Sequence, residues 1–237
     1  MIDDCHAASS APYDDSGVVV DTARIPGGGY LSLICYGEDY EIVLEDGEQL
    51  MGSWASRSEE ALATLVAERL GRAPQKILIG GLGMGFTLAA ARRALPAATA
   101  IVVAELVPRI VTWAEGPLAH IVGGSLSDPR VTVALRDVHD VITETGAAFD
   151  AILLDVDNGP DGLVHLANER LYSPWGLRAA HAALRPGGIL AIWSAYPDPD
   201  FSARLRDAGF AIEEIDVVDR EARPEARHTI WLARRGG

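Results

Sequence analysis

The chain has 237 residues, of which 49% are hydrophobic and 23% charged, a globular composition with room for one sizeable domain and a small extra element. Its net charge of −14 argues against nucleic acid or an anionic membrane as the main partner; it favours a small cationic substrate, although a plainly acidic surface explains it equally well. The two cysteines lack metal-ligand spacing, the N-terminus lacks a signal-peptide pattern and no apolar run could span a membrane, so we expect reduced thiols in a cytoplasmic protein.

The first 72 residues divide into an arm and a small β domain. Residues 1–16 are small, polar and acidic without periodicity, which predicts a flexible arm. Residues 17–72 begin with short alternating apolar runs separated by glycines, which predict strands joined in hairpins as a small antiparallel sheet. A helical apolar pattern over residues 58–70 then predicts a linking helix, and we place a domain boundary after residue 72.

Strand and helix patterns alternate through residues 73–237, which predicts a parallel sheet covered by helices on both faces. The predicted strands are 76–81, 100–105, 131–135, 149–155 and 188–194, and the predicted helices are 86–94, 107–115, 138–144, 173–184 and 200–208. The last two strand patterns, 210–218 and 228–234, have no helix between them and predict an antiparallel pair at one edge. The whole resembles the Rossmann-like, seven-stranded sheet of AdoMet-dependent methyltransferases, where AdoMet is S-adenosylmethionine.

A glycine turn lies at the centre of this pattern, in the sequence KILIGGLGMGFTL at residues 76–88. A buried-type strand leads into Gly81, Gly83 and Gly85, and a helix follows, which is how α/β domains bring backbone close to a nucleotide. Glycine is required there because a Cβ atom would block the turn and the ligand. Plain strand–helix packing would use the same pattern, so the turn alone does not settle the function.

Acidic residues follow three of the predicted strands. Glu105 ends the second strand about twenty residues after the glycine turn, the position from which a carboxylate can accept both ribose hydroxyls of a nucleoside. An exposed carboxylate at a strand end is the alternative. Asp137 follows the third strand, where it could reach an adenine amino group or cap the next helix.

The fourth strand runs directly into Asp155 and Asp157. Ligands of open α/β sheets bind outside the carboxyl ends of the strands, so Asp155 should face the same cleft as the glycine turn. Paired carboxylates there could hold a cationic amine and help to remove its proton. A simple turn explains Asn158–Pro160 well but Asp155 less well. A metal site is the weaker reading because no histidine or third carboxylate has useful spacing.

Four aromatic side chains follow near the same strand ends: Tyr172, Trp175, Trp193 and Tyr196. Most are expected in the core or rim, with one or two lining the nucleoside or acceptor pocket, and Tyr172 and Tyr196 are the candidate substrate contacts. With these residues in hand, the chain resembles the spermidine synthase-like (polyamine aminopropyltransferase) family over residues 42–234. The resemblance is carried by LEDGEQLM, the glycine turn, AELVPRIV, FDAILLDVDNGP and LYSPWGLRAAHAALRPGGILAIWSA.

The resemblance implies a homodimer and a set of residue roles. By it, Gln49 lies near the nucleoside, Glu105 binds the ribose, Asp137 lies on the adenine side and Asp155 activates the amine.

Three departures from the family pattern concern the substrate. The family's glycine motif has an aspartate that binds the donor ammonium, and Met84 stands there. Its Asp-x-x-Asp becomes Asp155-Val156-Asp157-Asn158, so the second carboxylate is displaced or replaced by an amide. Its Tyr-His-Glu stretch at the amine acceptor reads Ser58-Glu59-Glu60. Glu59 and Asn158 are the candidate substrate contacts at these positions. Loss of an ammonium-binding carboxylate weakens a charge-assisted contact, which argues against ordinary spermidine synthesis from putrescine.

Four hypotheses follow. The first is a transferase that uses AdoMet or decarboxylated AdoMet to alkylate an amine. The second is a methyltransferase using intact AdoMet, since Met84 would not repel a donor carboxylate. The third is intramolecular cyclisation of AdoMet with release of methylthioadenosine, and the last is a non-catalytic nucleoside-binding scaffold.

Overall fold

The computed structural model describes residues 17–54, 56–156, 159–160, 168–219 and 226–237. The predicted arm, residues 1–16, lies outside them. The first described element is a four-stranded antiparallel sheet with its strands in sequential order. Its strands are β1 (Val18–Arg24), β2 (Tyr30–Tyr36), β3 (Asp39–Leu44) and β4 (Gln49–Gly52). The small antiparallel sheet is therefore confirmed, with β4 as a strand that the apolar pattern did not reveal.

The second sheet has seven strands in the order β10-β11-β9-β8-β5-β6-β7. Its strands are β5 (Lys76–Gly80), β6 (Ala100–Ala104), β7 (Val131–Ala134), β8 (Phe149–Leu154), β9 (Leu184–Ser194), β10 (Phe210–Asp219) and β11 (Ala226–Arg235). Strands β5 to β9 pair in parallel, and β11 lies antiparallel between β9 and β10. The predicted sheet type and its antiparallel edge are confirmed. Strand β9 starts earlier than predicted because Leu184 pairs with Phe149 ahead of a register shift.

Helices cover both faces of the large sheet. They are α1 (Arg57–Arg69), α2 (Phe86–Ala94), α3 (Pro108–Glu115), α4 (Ala119–Val122), α5 (Val138–Thr143), α6 (Glu169–Tyr172), α7 (Pro174–Ala183) and α8 (Pro199–Asp207). The sequence did not reveal α4 and α6, which are single turns too short to show a helical period. In the described ranges, no helix has the length and apolar character of a membrane span.

Alternate residues of the central strands face two apolar clusters. Ile77 and Ile79 pack in a cluster that also holds core residues of α1, α2 and the small sheet, whereas Leu78 packs on the other side with residues of α7 and α8. All six residues of β8 are buried, as expected for a parallel strand covered on both faces. The small sheet and the large sheet thus share one continuous core on one side, and this core also includes residues of α1.

Asp150 holds together the amino-terminal ends of β5 and β8 in the large sheet. Its buried carboxylate accepts hydrogen bonds from the backbone N–H groups of Gln75 (2.7 Å) and Lys76 (3.0 Å), and it pairs with Arg185 (2.9 Å) and Arg72 (2.6 Å). Burial alone would raise the pKa of Asp150, but these donors and charges outweigh it and the pKa is lowered. This ion-pair cluster around Asp150 lies at the amino ends of the strands, opposite to their carboxyl ends, so it stabilises the fold and does not contribute to a binding site at the carboxyl ends.

One expectation fails in the small sheet. Cys35 of β2 is disulfide-bonded, so the prediction of reduced thiols is wrong for this residue. The chain's other cysteine, Cys5, lies outside the described residues. Two cysteines without metal spacing do not distinguish a thiol from a disulfide in the sequence alone.

Candidate active site

A pocket opens where the carboxyl ends of the large sheet meet the small sheet and α1. Its described lining is Ile25, Leu31, Ile42, Leu44, Leu50, Met51, Glu59, Gly81, Gly83, Ala104, Glu105, Leu106, Val107, Ile110, Asp137, Val138, Asp155, Val156, Asn168 and Trp193. The pocket therefore brings together the glycine turn and the acidic residues that follow β6, β7 and β8. This convergence is what the carboxyl-end rule for open α/β sheets predicts.

The glycine turn is held by backbone contacts. Gly81 has φ of +86° and donates its N–H to the carbonyl oxygen of Ala104 at 2.9 Å. A Cβ atom at Gly81 would collide with the backbone carbonyl oxygen of Asp155. At Gly83, a Cβ atom would meet the end of the Met51 side chain, which β4 places over the turn. The turn is thus packed between β8 on one side and the small sheet on the other.

Met84 and Gly85 lie behind the pocket wall. The Met84 side chain is fully buried, and its N–H donates to the Met51 sulfur at 3.1 Å. Gly85 has φ of +80°, caps the N-terminus of α2 and faces Val122 rather than the pocket. Of the four turn residues predicted to bind the donor, Gly81 and Gly83 line the pocket.

Glu105 organises the glycine turn as well as lining the pocket. Its Oε2 accepts the N–H of Leu82 and its Oε1 accepts the N–H of Val107, both at 2.8 Å. Burial raises the pKa of Glu105, and the backbone N–H groups of Val107, Leu82, Leu106 and Gly83 offset part of the rise. The carboxylate therefore joins the glycine turn to the segment that follows β6 at the wall of the pocket.

Asp137 caps helix α5, as one of the two sequence readings predicted. Its Oδ1 accepts the N–H of His139 at 2.8 Å, while Oδ2 pairs with Arg170 at 2.5 Å. The cap is confirmed, and the residue also lines the pocket. Its contact with an adenine amino group remains a prediction.

Asp155 lies directly after β8 and faces the pocket beside Glu59. Its Oδ2 is 2.6 Å from the hydroxyl oxygen of Thr87, which is also 3.1 Å from the carbonyl oxygen of Glu59. Desolvation raises the pKa of Asp155 to about 6, although the Thr87 hydrogen bond opposes the rise. A carboxylate with this pKa is ionised at neutral pH and is a stronger base than an ordinary aspartate. The other predicted residues of this segment, Asp157 and Asn158, lie outside the described residues.

The predicted substrate residues occupy different places. Glu59 lines the pocket, and its carboxylate accepts a hydrogen bond from the Ser58 hydroxyl at 2.5 Å. Tyr172 is buried against the Phe201 ring and donates its hydroxyl to the carbonyl of Val156, so it supports the pocket wall from behind. Tyr196 is 54% exposed and is not part of the described lining of the pocket. Gln49, which was predicted near the nucleoside, is also exposed and lies outside that lining.

Sequence reasoning missed two residues of this site. Thr87 contacts Asp155, but a threonine in the first turn of a helix carries no functional signal by itself. Met51 meets the glycine turn through a long-range contact that no local pattern reveals. Trp193, which the sequence placed near the strand ends, lines the pocket with an indole N–H that has no hydrogen-bond partner in the described part of the chain.

The charged side chains in the described lining of the pocket are all acidic. Glu59, Glu105, Asp137 and Asp155 are the charged residues of its described lining, which includes no lysine or arginine. The remaining described wall is mainly aliphatic and holds these carboxylates away from bulk water. Such a lining attracts a cationic ligand and disfavours an anionic one. No group of three or more His, Cys, Asp or Glu side chains among the described residues is arranged to hold a metal ion.

Comparisons with known proteins agree with this geometry. No protein-family model matches the sequence. A polyamine aminopropyltransferase of Mycobacterium tuberculosis is 32% identical over 192 residues, which cover 76% of this chain and 35% of that protein. One from a Synechococcus strain is 28% identical over 166 residues, covering 65% of this chain and 51% of that protein. The chain thus spans about a third and about half of the length of these relatives.

Solved structures show the same architecture. A spermidine synthase in complex with the transition-state analogue AdoDATO has a TM-score of 0.71 at 18% identity, covering 92% of this chain and 72% of that one. Spermidine synthase from Thermotoga maritima has a TM-score of 0.72 at 17% identity, with 92% and 73% covered. The fold is therefore that of the spermidine synthases. Over the matched residues the chain is thus similar to polyamine aminopropyltransferases, and its fold is spermidine synthase-like.

The close approach of Gly81 to the backbone of Asp155, just after β8, predicts a large loss of stability when one methyl group is added at Gly81. Gly81→Ala should lower the free energy of unfolding by about 3 kcal/mol, because it adds a backbone clash to the cost of a positive φ. Gly37→Ala is the matched control, since Gly37 has φ of +71° with open space around its Cβ position, and it should cost about 1 kcal/mol. Urea denaturation of both variants measures the difference. Equal losses would show that the close approach to Asp155 is not a constraint.

The raised pKa of Asp155 predicts a pH-dependent gain in stability for Asp155→Asn. The carboxyl has a folded pKa of about 6 against an ordinary value of 3.8, so the wild-type protein loses stability as pH rises from about 4 to about 6. The asparagine variant lacks this loss. Its stability relative to wild type should increase by about 2 kcal/mol between pH 4.5 and pH 8.

Urea denaturation across this pH range measures the difference between the two proteins. Asp207→Asn, at an exposed position, is the matched control for replacing a carboxylate by an amide. A difference between Asp155→Asn and wild type that stays constant across this pH range would mean that Asp155 has an ordinary pKa.

Proposed function

We propose that the chain is a transferase that binds a sulfonium nucleoside and transfers an aminopropyl-type group to an amine. The observation that supports this most strongly is the position of Asp155, a carboxylate with a raised pKa that faces the same pocket as the glycine turn and Glu105. Proteins named polyamine aminopropyltransferase among its relatives support the same reaction class.

The charge of the pocket favours decarboxylated AdoMet over AdoMet as the donor. Decarboxylated AdoMet carries a sulfonium and an ammonium, and both are attracted by the carboxylates of the described lining. The carboxylate of intact AdoMet would be repelled by the same acidic side chains, and the described lining has no lysine or arginine to pair with it. Because Met84 is buried behind the wall, Glu59 and Asp155 are the described residues left to hold cationic groups of the substrates.

The nucleoside half of the donor would bind along the carboxyl ends of β6 and β7. The Glu105 carboxylate would accept hydrogen bonds from the ribose hydroxyls, and the Asp137 carboxylate would accept one from the adenine amino group. The aliphatic residues Val107, Ile110 and Val138 would enclose the base. Gly81 and Gly83 would let the donor approach the backbone of the turn.

The chemistry requires the acceptor amine to lose a proton. An amine of this class has a pKa near 10 and is protonated at neutral pH, so it has no free lone pair to attack carbon. Asp155 would accept this proton before the attack. The free amine would then form the new N–C bond as the C–S bond breaks. The electron pair of the broken bond goes to sulfur, which turns the sulfonium into the neutral thioether of methylthioadenosine. Glu59 would orient the acceptor through a second ammonium group.

A methyltransferase using intact AdoMet is the second candidate. The observation that favours it is the apolar residue Met84 in the turn, which removes an acidic group that would repel the donor carboxylate. The same observation favours intramolecular cyclisation of AdoMet, because that reaction also uses the intact donor with its carboxylate. A homodimer belongs to the proposal through the family resemblance alone, and a cytoplasmic location belongs to it through the sequence pattern of the N-terminus and the apolar runs.

Product analysis distinguishes these reactions. Purified protein is incubated with AdoMet or decarboxylated AdoMet, with and without a mixture of polyamines, and the nucleoside products are identified by mass spectrometry. We expect methylthioadenosine from decarboxylated AdoMet only when an amine is present, and a rate lowered about 10²- to 10⁴-fold in Asp155→Asn.

Three other results would contradict the proposal. S-adenosylhomocysteine would indicate a methyltransferase, and methylthioadenosine from AdoMet alone would indicate cyclisation. Turnover of neither donor would favour the non-catalytic scaffold.

A further inference from the structure

Thr87 lies at a junction of three elements. It is the second residue of α2 and is almost fully buried. Its hydroxyl oxygen lies 2.6 Å from Oδ2 of Asp155, which follows β8, and 3.1 Å from the carbonyl oxygen of Glu59 in α1. One side chain thus connects the expected base to the helix whose Glu59 side chain lines the pocket.

The hydroxyl has one proton and two acceptors within reach. When Asp155 is ionised, the shorter distance directs the Thr87 proton to the carboxylate. When the Asp155 carboxyl carries a proton, it can donate to the Thr87 oxygen, and Thr87 can then donate to the Glu59 carbonyl. Both protonation states of the carboxyl group are therefore satisfied by the same arrangement of heavy atoms.

No other donor in the described part of the chain contacts the Asp155 side chain. The charged groups that face it across the pocket are Glu59 from α1, Glu105 after β6 and Asp137 before α5. All three are acidic, and Arg170 is engaged with Asp137. Burial opposes ionisation of Asp155, and the Thr87 hydrogen bond is the described contact that favours it.

We propose that Thr87 is a positioning residue, which holds the Asp155 carboxylate in one orientation before and after proton transfer and keeps it in register with Glu59. The inference rests on the proposed function, in which Asp155 takes the proton of the acceptor amine. Thr87 itself does not contact the substrate. It acts by keeping the base ionised and aimed at the acceptor.

Thr87→Val and Thr87→Ser separate the hydroxyl from the volume of the side chain. Valine keeps the shape and loses the hydrogen bonds, so it should move the acid limb of the kcat profile upward by about one pH unit. It should lower kcat about tenfold or more at pH 7, with little change in KM for the donor. Serine keeps the hydroxyl and should restore both values to within a few-fold of wild type.

A second readout needs no substrate. The stability difference between the Asp155→Asn variant and its parent protein is measured against pH twice, once with Thr87 intact and once with the Thr87→Val substitution in both proteins. Since valine raises the folded pKa of Asp155, the rise of this difference should extend about one pH unit higher. Circular dichroism confirms folding. If Thr87→Val does not fold, Thr87→Ala against Thr87→Ser makes the same comparison.

The two readouts separate the failure of this inference from the failure of the proposed function. A shifted stability profile without turnover of any donor would leave the positioning of Asp155 standing and overturn the proposed reaction. Normal turnover with an unshifted profile in Thr87→Val would overturn the role of Thr87. Loss of activity in valine and serine alike would show a packing role in place of a hydrogen-bonding one.

Discussion

The glycine turn meets the end of β8 through bare backbone, and the geometry of the pocket depends on this contact. Gly81 has no side chain where a Cβ atom would strike the carbonyl oxygen of Asp155, so the turn and the residue after β8 can share one wall. The same turn is fixed from the side of β6, because Gly81 and Leu82 donate to Ala104 and to the Glu105 carboxylate. Three parallel strands are thus tied together at their carboxyl ends before any ligand arrives.

Carboxylates with raised pKa values are concentrated in the same pocket. Glu105 and Asp155 are carboxylates whose desolvation raises their pKa values, and the pocket sets them beside Glu59 and Asp137. In contrast, Asp150 at the opposite edge is buried with two arginines and two backbone donors, and its pKa is lowered. A cationic ligand would favour the ionised form of these desolvated carboxylates, whereas the Asp150 carboxylate already has its charged partners. The contrast separates a binding site from a structural ion-pair cluster within one sheet.

Much of the fold could be predicted because its signals are local. The run of buried residues before Gly81, the strand and helix alternation and the final helix-free pair of strands are properties of short windows. The positions of Glu105 and Asp155 in the pocket follow from the rule that parallel strands bring their carboxyl ends together. These residues are separated widely in the chain, yet the topology alone makes them neighbours.

The remaining features depend on contacts that the sequence does not encode locally. Thr87 contacts residues 28 and 68 positions away, and Met51 reaches the turn from 33 positions away. Tyr172 was expected near the acceptor, but its ring packs against Phe201 because α6 turns it toward the core. The disulfide state of Cys35 likewise has no signature in the residues that surround it in the sequence. Amphipathic patterns reveal which face is buried but do not identify the residues that cover it.

The central claim is that the pocket at the carboxyl ends of β5, β6 and β8 binds a nucleoside with its ribose at Glu105. A crystal structure of the protein soaked with methylthioadenosine tests it most directly. The account predicts ribose hydroxyls within hydrogen-bond distance of the Glu105 carboxylate, the adenine beside Asp137 and Val138, and the sulfur directed toward Asp155. A nucleoside bound elsewhere on the chain, or one in this pocket with its ribose turned away from Glu105, would contradict the account.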